Sequence, residues 1–309
     1  MIQEREDTVM KKNLKKLFAL LLSLALALSL SAAFAEGNWT LTCPNGAPAL
    51  SVATVAAARP DDFTFIAADT IPAAFASAEA DFIIAPVNAG AKLFKAGKST
   101  YRLAAVITWG NLVLASQREN FSLDDLKENK LTLFGADTIN ASVALYALKN
   151  AGIEPKLADP LAGAAETKAL LETDPEAIVL TAEPMFTAAK AANDKITGIR
   201  VNDLLDNSGY TQAGLFVRAE TLEQHPELVA AALSEIEESC GLCDSDPDKV
   251  VEALGVLEMK FPKAAIPGCA IRYVPADQAR RLVEVTISID PAQFGGAEPA
   301  DEFYYNAAE

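Results

Sequence analysis

The stretch that decides the fold class is Asp81-Phe82-Ile83-Ile84-Ala85-Pro86-Val87-Asn88-Ala89-Gly90. Its first half is a short apolar run of the kind found in buried β-strands, and residues 89–96 have the composition of a helix that ends at Gly97. A strand that passes into a helix through a short turn is typical of units in which helices connect parallel strands. The stretch therefore predicts an α/β protein.

The same alternation extends in both directions along the chain. Strands are predicted at residues 39–43, 63–67, 81–85, 103–108 and 112–116, with helices at 49–58, 71–77 and 89–96. A capping box from Ser122 to Asp125 opens a second block, with strands at 131–134, 177–181, 198–201 and 213–217 and helices that end near 150, 171 and 192. Residues 220–240, 247–259 and 275–285 are predicted to be helical. We expect mixed, mainly parallel sheets covered by helices.

Composition and charge narrow the classes of function. The chain has 309 residues, of which 51% are hydrophobic and 22% charged, which is enough for two domains with large cores. Its formal net charge of −16 repels phosphate groups, so we expect no nucleic-acid partner. The single histidine, His225, has no obvious nucleophile near it, and one histidine excludes multi-histidine metal sites. We expect no cofactor and no bound metal.

Residues 1–35 have the features of a signal peptide. Lysines at positions 11, 12, 15 and 16 precede an apolar run over residues 17–30, and Ala33-Phe34-Ala35 supplies the small residues of a cleavage site. We expect cleavage after Ala35 and export to the periplasm or the extracellular space, with translation starting at Met1 or Met10. The alternative is a single membrane anchor, because the stretch 17–35 is nearly long enough to span a bilayer.

Export would permit disulfide bonds among the four cysteines, which are Cys43, Cys240, Cys243 and Cys269. Cys240 and Cys243 form a Cys-x-x-Cys sequence at the end of a predicted helix. Redox-active pairs instead stand at the start of a helix, where the helix dipole lowers the pKa of the first thiol. A local disulfide and inert thiols therefore remain as the alternatives for this pair.

Short polar loops follow the predicted strands and precede the helices. In open α/β sheets such loops meet at the carboxyl ends of the strands, where ligands bind, and each offers backbone N–H groups at a helix start. Helix capping explains any one of them, but five such loops together with two predicted domain crossings, at residues 109–111 and 209–212, indicate a cleft. The candidate ligand-binding residues are Asn45, Gly46, Ala47, Asp69, Pro86, Asn88, Trp109, Asn111, Ala136, Asp137, Thr138, Glu183, Tyr210 and Gln212.

The side chains of these candidates indicate a class of solute. Trp109 and Tyr210 can stack on a planar ring, and the amides and carboxylates provide directional hydrogen bonds. Carboxylates suit amino donors and disfavour a bare sulfonate. We therefore expect a small polar or heteroaromatic solute that carries nitrogen.

A family resemblance is carried by six segments in this order along the chain: Pro44–Pro48, Ala85–Gly90, Thr181–Pro184, Gln212–Val217, Pro226–Val229 and Asp301–Tyr305. Their order and spacing resemble those of the solute-binding proteins of ABC importers. The resemblance is to the branch that contains sulfonate-, taurine- and thiamine-precursor-binding proteins. It spans nearly the whole chain after residue 35.

The resemblance implies a type II periplasmic-binding-protein fold, with a ligand cleft between two lobes. Residues 36–113 with 213–309 would form lobe one and residues 114–212 lobe two, and the lobes would close about a hinge near residues 113 and 213. It also implies a small-molecule ligand and, as partners, the membrane permease subunits of an ABC importer. The protein would be a monomer without enzymatic activity. The alternative is an enzyme on the same fold, similar to chorismate dehydratase or to the pyrimidine synthases.

The sequence departs from this family in two places. No cysteine follows the expected cleavage site, so tethering through a lipid is not indicated. Gly268 stands where an arginine is often expected, in the segment Ile266–Ala270 that would approach the cleft. The family placement of Cys43 and Cys269 on lobe one also implies a disulfide between them, with free buried thiols as the alternative.

Overall fold

The computed structural model describes residues 38–205 and 209–306. The predicted signal peptide, residues 1–35, lies outside these ranges. Within them, every helix is too short or too polar to serve as a transmembrane span.

Eleven strands in the described ranges form two sheets. They are β1 Leu41–Pro44, β2 Phe63–Ile66, β3 Phe82–Pro86, β4 Tyr101–Thr108, β5 Leu112–Ser116, β6 Lys130–Thr132, β7 Lys156–Leu157, β8 Ile178–Ala182, β9 Thr197–Arg200, β10 Ala213–Arg218 and β11 Ile271–Pro275. The first sheet has the order β11-β4-β10-β3-β1-β2, and the second has the order β7-β6-β8-β5-β9.

Both sheets are mixed, as the sequence predicts. β1 pairs in parallel with β2 and β3, and β6 pairs in parallel with β7 and β8. The expectation that parallel pairs predominate is wrong, because β10 runs against both β3 and β4, β11 runs against β4, and β5 runs against both β8 and β9. The predicted α/β class is confirmed.

Helices connect the strands and cover the sheets. They are α1 Ala53–Ala58, α2 Ile71–Ser77, α3 Val87–Lys95, α4 Asp125–Glu128, α5 Ile139–Asn150, α6 Ala164–Thr173, α7 Met185–Ala192, α8 Ala219–Gln224, α9 Pro226–Ser245, α10 Pro247–Val256 and α11 Ala276–Ile289. A 3-10 helix, Ala47–Val52, precedes α1, and another, Lys263–Cys269, precedes β11.

Two prolines explain where the predicted helices differ from the structure. The helix expected at residues 220–240 is divided, because Pro226 has no N–H to donate and instead starts α9. Pro275 ends the strand β11, and α11 begins only at Ala276. The predictions missed β11, whose five residues complete the first sheet beside β4.

Aromatic packing fixes the strands of the first sheet. The Trp39 ring packs edge-on against Phe63 and Phe82, with ring centroids 5.3 and 5.2 Å apart. Phe75 packs in the same way against Tyr101 and Phe216, which lie on other strands of the sheet. The first set of contacts packs β2 and β3 together, and the second packs α2 onto β4 and β10.

All four cysteines are buried free thiols, so the disulfide predicted between Cys43 and Cys269 is wrong for this structure. Each sulfur hydrogen-bonds to a nearby backbone carbonyl, as Cys269 does with Ala265 at 3.3 Å. Burial raises the pKa of every one of them, and it brings the pKa of Cys243 to about 12. Cys240 and Cys243, both within α9, are thus inert thiols and not a redox pair.

Candidate ligand-binding site

Three candidate loops leave the first sheet at the carboxyl ends of neighbouring strands. β1, β2 and β3 are parallel, with Pro44 opposite Ile66 and Thr42 opposite Ile83, so their carboxyl ends lie side by side. The backbone N–H and the side-chain amide of Asn45 both donate to the Ile66 carbonyl, at 2.9 and 3.1 Å. Asn45 therefore joins the ends of β1 and β2.

The other candidates on these loops differ in exposure. Gly46 and Asp69 are exposed, Ala47 is buried, and Asn88 is half-buried in the first turn of α3. Gly46 has a φ of +105°, a conformation that glycine adopts more readily than any other residue. Pro86 ends β3 beside the start of β10. These residues lie at one edge of the sheet.

The second sheet also presents its candidates at one edge. β6 and β8 are parallel neighbours, so the loop that carries Ala136, Asp137 and Thr138 leaves the sheet near Glu183. All three loop residues are exposed, and the Thr138 hydroxyl donates to the Gly135 carbonyl at 2.7 Å. This hydrogen bond closes the turn that precedes α5.

One hydrogen-bond network joins Asn111, Glu183 and Gln212. The Glu183 N–H donates to the Asn111 carbonyl, and the Asn111 side chain donates back to the Glu183 carbonyl, both at 2.9 Å. The Gln212 side chain donates to Asn111 Oδ1 at 2.9 Å, and the Gln212 backbone carbonyl accepts from the Val87 N–H at 3.0 Å. The end of β8 is therefore connected to both chain crossings and to the start of α3.

The two aromatic candidates are buried, each with 2% of its surface exposed. The Trp109 indole N–H donates to the Arg272 carbonyl at 2.8 Å, and the Arg272 guanidinium lies 4.4 Å from the centre of the indole ring. The Tyr210 hydroxyl donates to Asn140 Oδ1 at 2.6 Å, and burial raises its pKa. In this conformation both rings belong to the packing around the crossings.

Glu183 is the carboxylate that lies at the centre of this arrangement. Its side chain is 0% exposed, and its Oε2 atom accepts a hydrogen bond from the Thr187 backbone N–H at 3.1 Å, in the first turn of α7. A guanidinium nitrogen of Arg200 lies 3.8 Å from its Oε1 atom. The helix dipole favours negative charge at the start of a helix, so the start of α7 stabilises the Glu183 carboxylate.

Gly268 covers the Glu183 and Arg200 side chains from the segment 263–269. A Cβ atom on Gly268 would lie 2.7 Å from Glu183 Oε1 and would overlap the Arg200 guanidinium. The neighbouring Cys269 thiol has its pKa raised mainly by burial and further by the negative charge of Glu183. The segment that the sequence places near the cleft therefore contacts the end of β8 directly.

The sequence predictions did not include Arg200 and Arg272. Arg200 ends β9 and Arg272 is the second residue of β11, so both stand at strand ends, which is the signal that the other candidates share. Their approach to Glu183 and Trp109 depends on which strands are neighbours. That pairing crosses long stretches of sequence and follows no local pattern.

Three open grooves in the described part of the chain have no candidate residue in their lining. One of about 700 Å³ is lined by α9, the start of α11 and the last described residues, including Glu237, Tyr273 and Tyr305. It belongs to the outer surface of the first sheet, away from the ends of β1, β3 and β8.

No protein-family model matches the chain, and no curated protein sequence is significantly similar to it. Solved structures do share its fold. An ABC transporter structure from Parabacteroides distasonis is 19% identical, with a TM-score of 0.75, and the match covers 87% of this chain and 98% of that one.

Two further structures support the same fold. A ligand-binding component of an ABC-type import system from Staphylococcus aureus, solved with zinc bound, is 12% identical, with a TM-score of 0.65 and coverage of 87% and 96%. The periplasmic aliphatic sulphonate binding protein of Escherichia coli is 14% identical, with a TM-score of 0.65 and coverage of 87% and 92%. The chain has the fold of periplasmic binding proteins, as its motifs predict.

Proposed function

We propose that this protein is an extracytoplasmic solute-binding receptor that delivers a small solute to an ABC importer. The observation that carries the proposal is that Asn111 and Gln212, from the two chain crossings, join the end of β8 in the second sheet to the start of α3 beside the first sheet. The proteins that share the fold include ligand-binding components of ABC import systems, which supports the same role. The candidate ligand-binding residues predicted from the sequence, of which Asn45 is the first and Gln212 the last, would line the solute cleft.

The receptor would work by the closure of two lobes. We assign residues 36–113 with 213–309 to one lobe and residues 114–212 to the other, with a hinge near residues 113 and 213. Side-chain contacts span the proposed boundary on the side of α5, where Ser142 Oγ donates to Asp290 Oδ2 at 2.7 Å and Gln293 donates to the Asp137 carbonyl at 2.8 Å. Opening would break these contacts together with the approach of Gly268 to Glu183.

Export and partners complete the proposal. The signal peptide at residues 1–35 would direct the chain out of the cytoplasm, and the mature receptor would dock as a monomer on the permease subunits of its importer. A periplasmic protein among the structures of the same fold supports this location. N-terminal sequencing of protein from the native envelope should give a start at Glu36; an intact Met1 or Met10 in the cytosol would contradict it.

A thermal-shift screen of a broad small-molecule library tests the receptor function directly. A solute present at about 100 times its dissociation constant stabilises the folded state by about 2.7 kcal/mol, which is readily measured as a higher Tm. The bound solute should be recovered chemically unchanged after long incubation. A library in which no compound raises the Tm contradicts the receptor, and a solute that is converted to a product supports the enzyme alternative.

A further inference from the structure

The environment of Glu183 is incomplete within the protein. The side chain is 0% exposed, and one carboxylate oxygen, Oε2, accepts from the Thr187 N–H. The other oxygen, Oε1, has no hydrogen-bond partner anywhere in residues 38–205 and 209–306. A buried carboxylate oxygen without a donor is costly, so this atom marks a place where a hydrogen-bond donor is missing.

Arg200 neutralises the charge of Glu183 without hydrogen-bonding to it. Its guanidinium nitrogen is 3.8 Å from Oε1, beyond the range of an N–H···O hydrogen bond. The Arg200 side chain remains 41% exposed, so its planar set of N–H donors is available beside the carboxylate. The pair therefore offers an acceptor and donors next to each other, with no net charge.

Access to this pair depends on the segment 263–269. Gly268 packs against both side chains, and the missing Cβ is what allows the approach, since that atom would lie 2.7 Å from Glu183 Oε1. The carboxylate is held by the Thr187 N–H in the first turn of α7, on the same lobe as Glu183, so it stays in place when the segment moves away. Opening of the proposed cleft would therefore expose a fixed acceptor beside Arg200.

We infer that the solute carries an N–H donor next to a hydrogen-bond acceptor, as in a carboxamide, a ureido group or an aminated nitrogen heterocycle, and that this edge pairs with Glu183 Oε1 and Arg200. This inference rests on the proposed receptor function. The donor would satisfy Oε1, and the acceptor would receive an N–H from the guanidinium. An isolated ammonium or a bare sulfonate would complement only one member of the pair and would face the like charge of the other.

Matched compounds that differ in one nitrogen group test this inference by titration calorimetry on the exported form of the chain. Nicotinamide is compared with 3-acetylpyridine, and 4-aminopyrimidine with pyrimidine, with ethanesulfonate and ethylamine as single-charge probes. We expect at least one nitrogen-bearing member to bind at least tenfold more tightly than its match and than either charged probe.

Two variants connect the selectivity to these residues. Glu183→Gln should weaken binding of the preferred probe at least tenfold, because a charged acceptor is replaced by a neutral one, and should leave its match unchanged. Arg200→Gln, at a partly exposed side chain, should reduce the same preference. Glu176→Gln is the control, since Glu176 is an exposed carboxylate that pairs with Arg118 and precedes β8, whereas Glu183 follows the other end of that strand. Circular dichroism and the Tm of each solute-free variant confirm that it is folded.

The results separate this inference from the receptor function. Equal affinities within both pairs, tighter binding of ethanesulfonate or ethylamine, or unchanged selectivity in both Glu183→Gln and Arg200→Gln would overturn the inference. Absence of binding by every probe would overturn it as well. The receptor function falls only if the broad library of its own screen also gives no stabilising compound.

Discussion

Two acidic loops of this chain are alike in sequence and differ in structure. Asp69 and Glu183 each follow a strand and precede a proline and a helix. Asp69 is exposed beside β2, which is the edge strand of the first sheet, whereas Glu183 is buried at the end of β8, which has neighbours on both sides. The position of the strand in its sheet, and not the local motif, decides which of the two acids is buried.

The largest expected effect comes from the asparagines beside the two loops. Asn111→Ala removes the hydrogen bonds that its side chain makes with Glu183 and Gln212 and leaves both partners unsatisfied in a half-buried place. We expect a loss of about 2–3 kcal/mol in the free energy of unfolding, measured by urea denaturation. Asn45→Ala, the matched change at the edge strand, removes one exposed hydrogen bond and should cost about 1 kcal/mol or less. Equal losses of stability in the two variants would show that the side-chain hydrogen bonds of Asn111 contribute no more than the one of Asn45.

Two glycine substitutions are expected to change the stability by smaller amounts, and in opposite directions. Gly268→Ala places a Cβ against the Glu183 and Arg200 side chains, and we expect it to lower stability by about 1–3 kcal/mol through overpacking. Gly241→Ala, at an open position within α9, should instead raise stability by about 0.5–1 kcal/mol, because alanine favours the helix. Thermal denaturation of both variants measures the difference. A Gly268→Ala protein as stable as the wild type would show that the segment 263–269 does not press on Glu183.

The smallest expected effect is at Asp125, a carboxylate that accepts hydrogen bonds from Ser122. The Ser122 backbone N–H donates to Asp125 at 2.9 Å and is the main cause of a lowered Asp125 pKa, with the charge of Arg118 contributing less. A pKa lowered in the folded state gives stability that is present above the unfolded pKa of about 3.9 and is lost as the pH falls through the folded pKa.

Asp125→Asn should therefore reduce stability slightly at pH 7 and have less effect near pH 3, where the wild-type carboxyl is being protonated. Urea midpoints of the two proteins at both pH values measure this change. A deficit that is larger at pH 3 than at pH 7 would show that the sign is wrong.

Much of the fold follows from local patterns in the sequence. The helix at 71–77 and the strand at 112–116 have the predicted bounds, because prolines, polar caps and apolar runs mark their ends. The local pattern does not reveal β11, because its last residue, Pro275, is typical of a helix start and predicts a helix from that position.

The candidate site is harder to predict, for a physical reason. The network of Asn111, Glu183 and Gln212 joins residues that are 72 and 101 positions apart, yet all three follow or precede strands, so the strand-end pattern identifies them. Gly268 and Arg200 matter through what they touch across the fold. Contacts of this kind arise from tertiary packing and leave no period or spacing in the sequence.

The two tryptophans of the chain give it an optical property that follows from their placement. Trp39 packs against Phe63 and Phe82 in the core of the first sheet, with the Arg59 guanidinium 4.6 Å from its ring centre, whereas Trp109 lies at a chain crossing under the Arg272 guanidinium. Any rearrangement of the crossing changes the polarity and the charge around Trp109 and leaves Trp39 as a constant background. A Trp39→Phe molecule would carry a single emitter at the crossing, and the colour and intensity of its fluorescence would follow the movement without any attached dye.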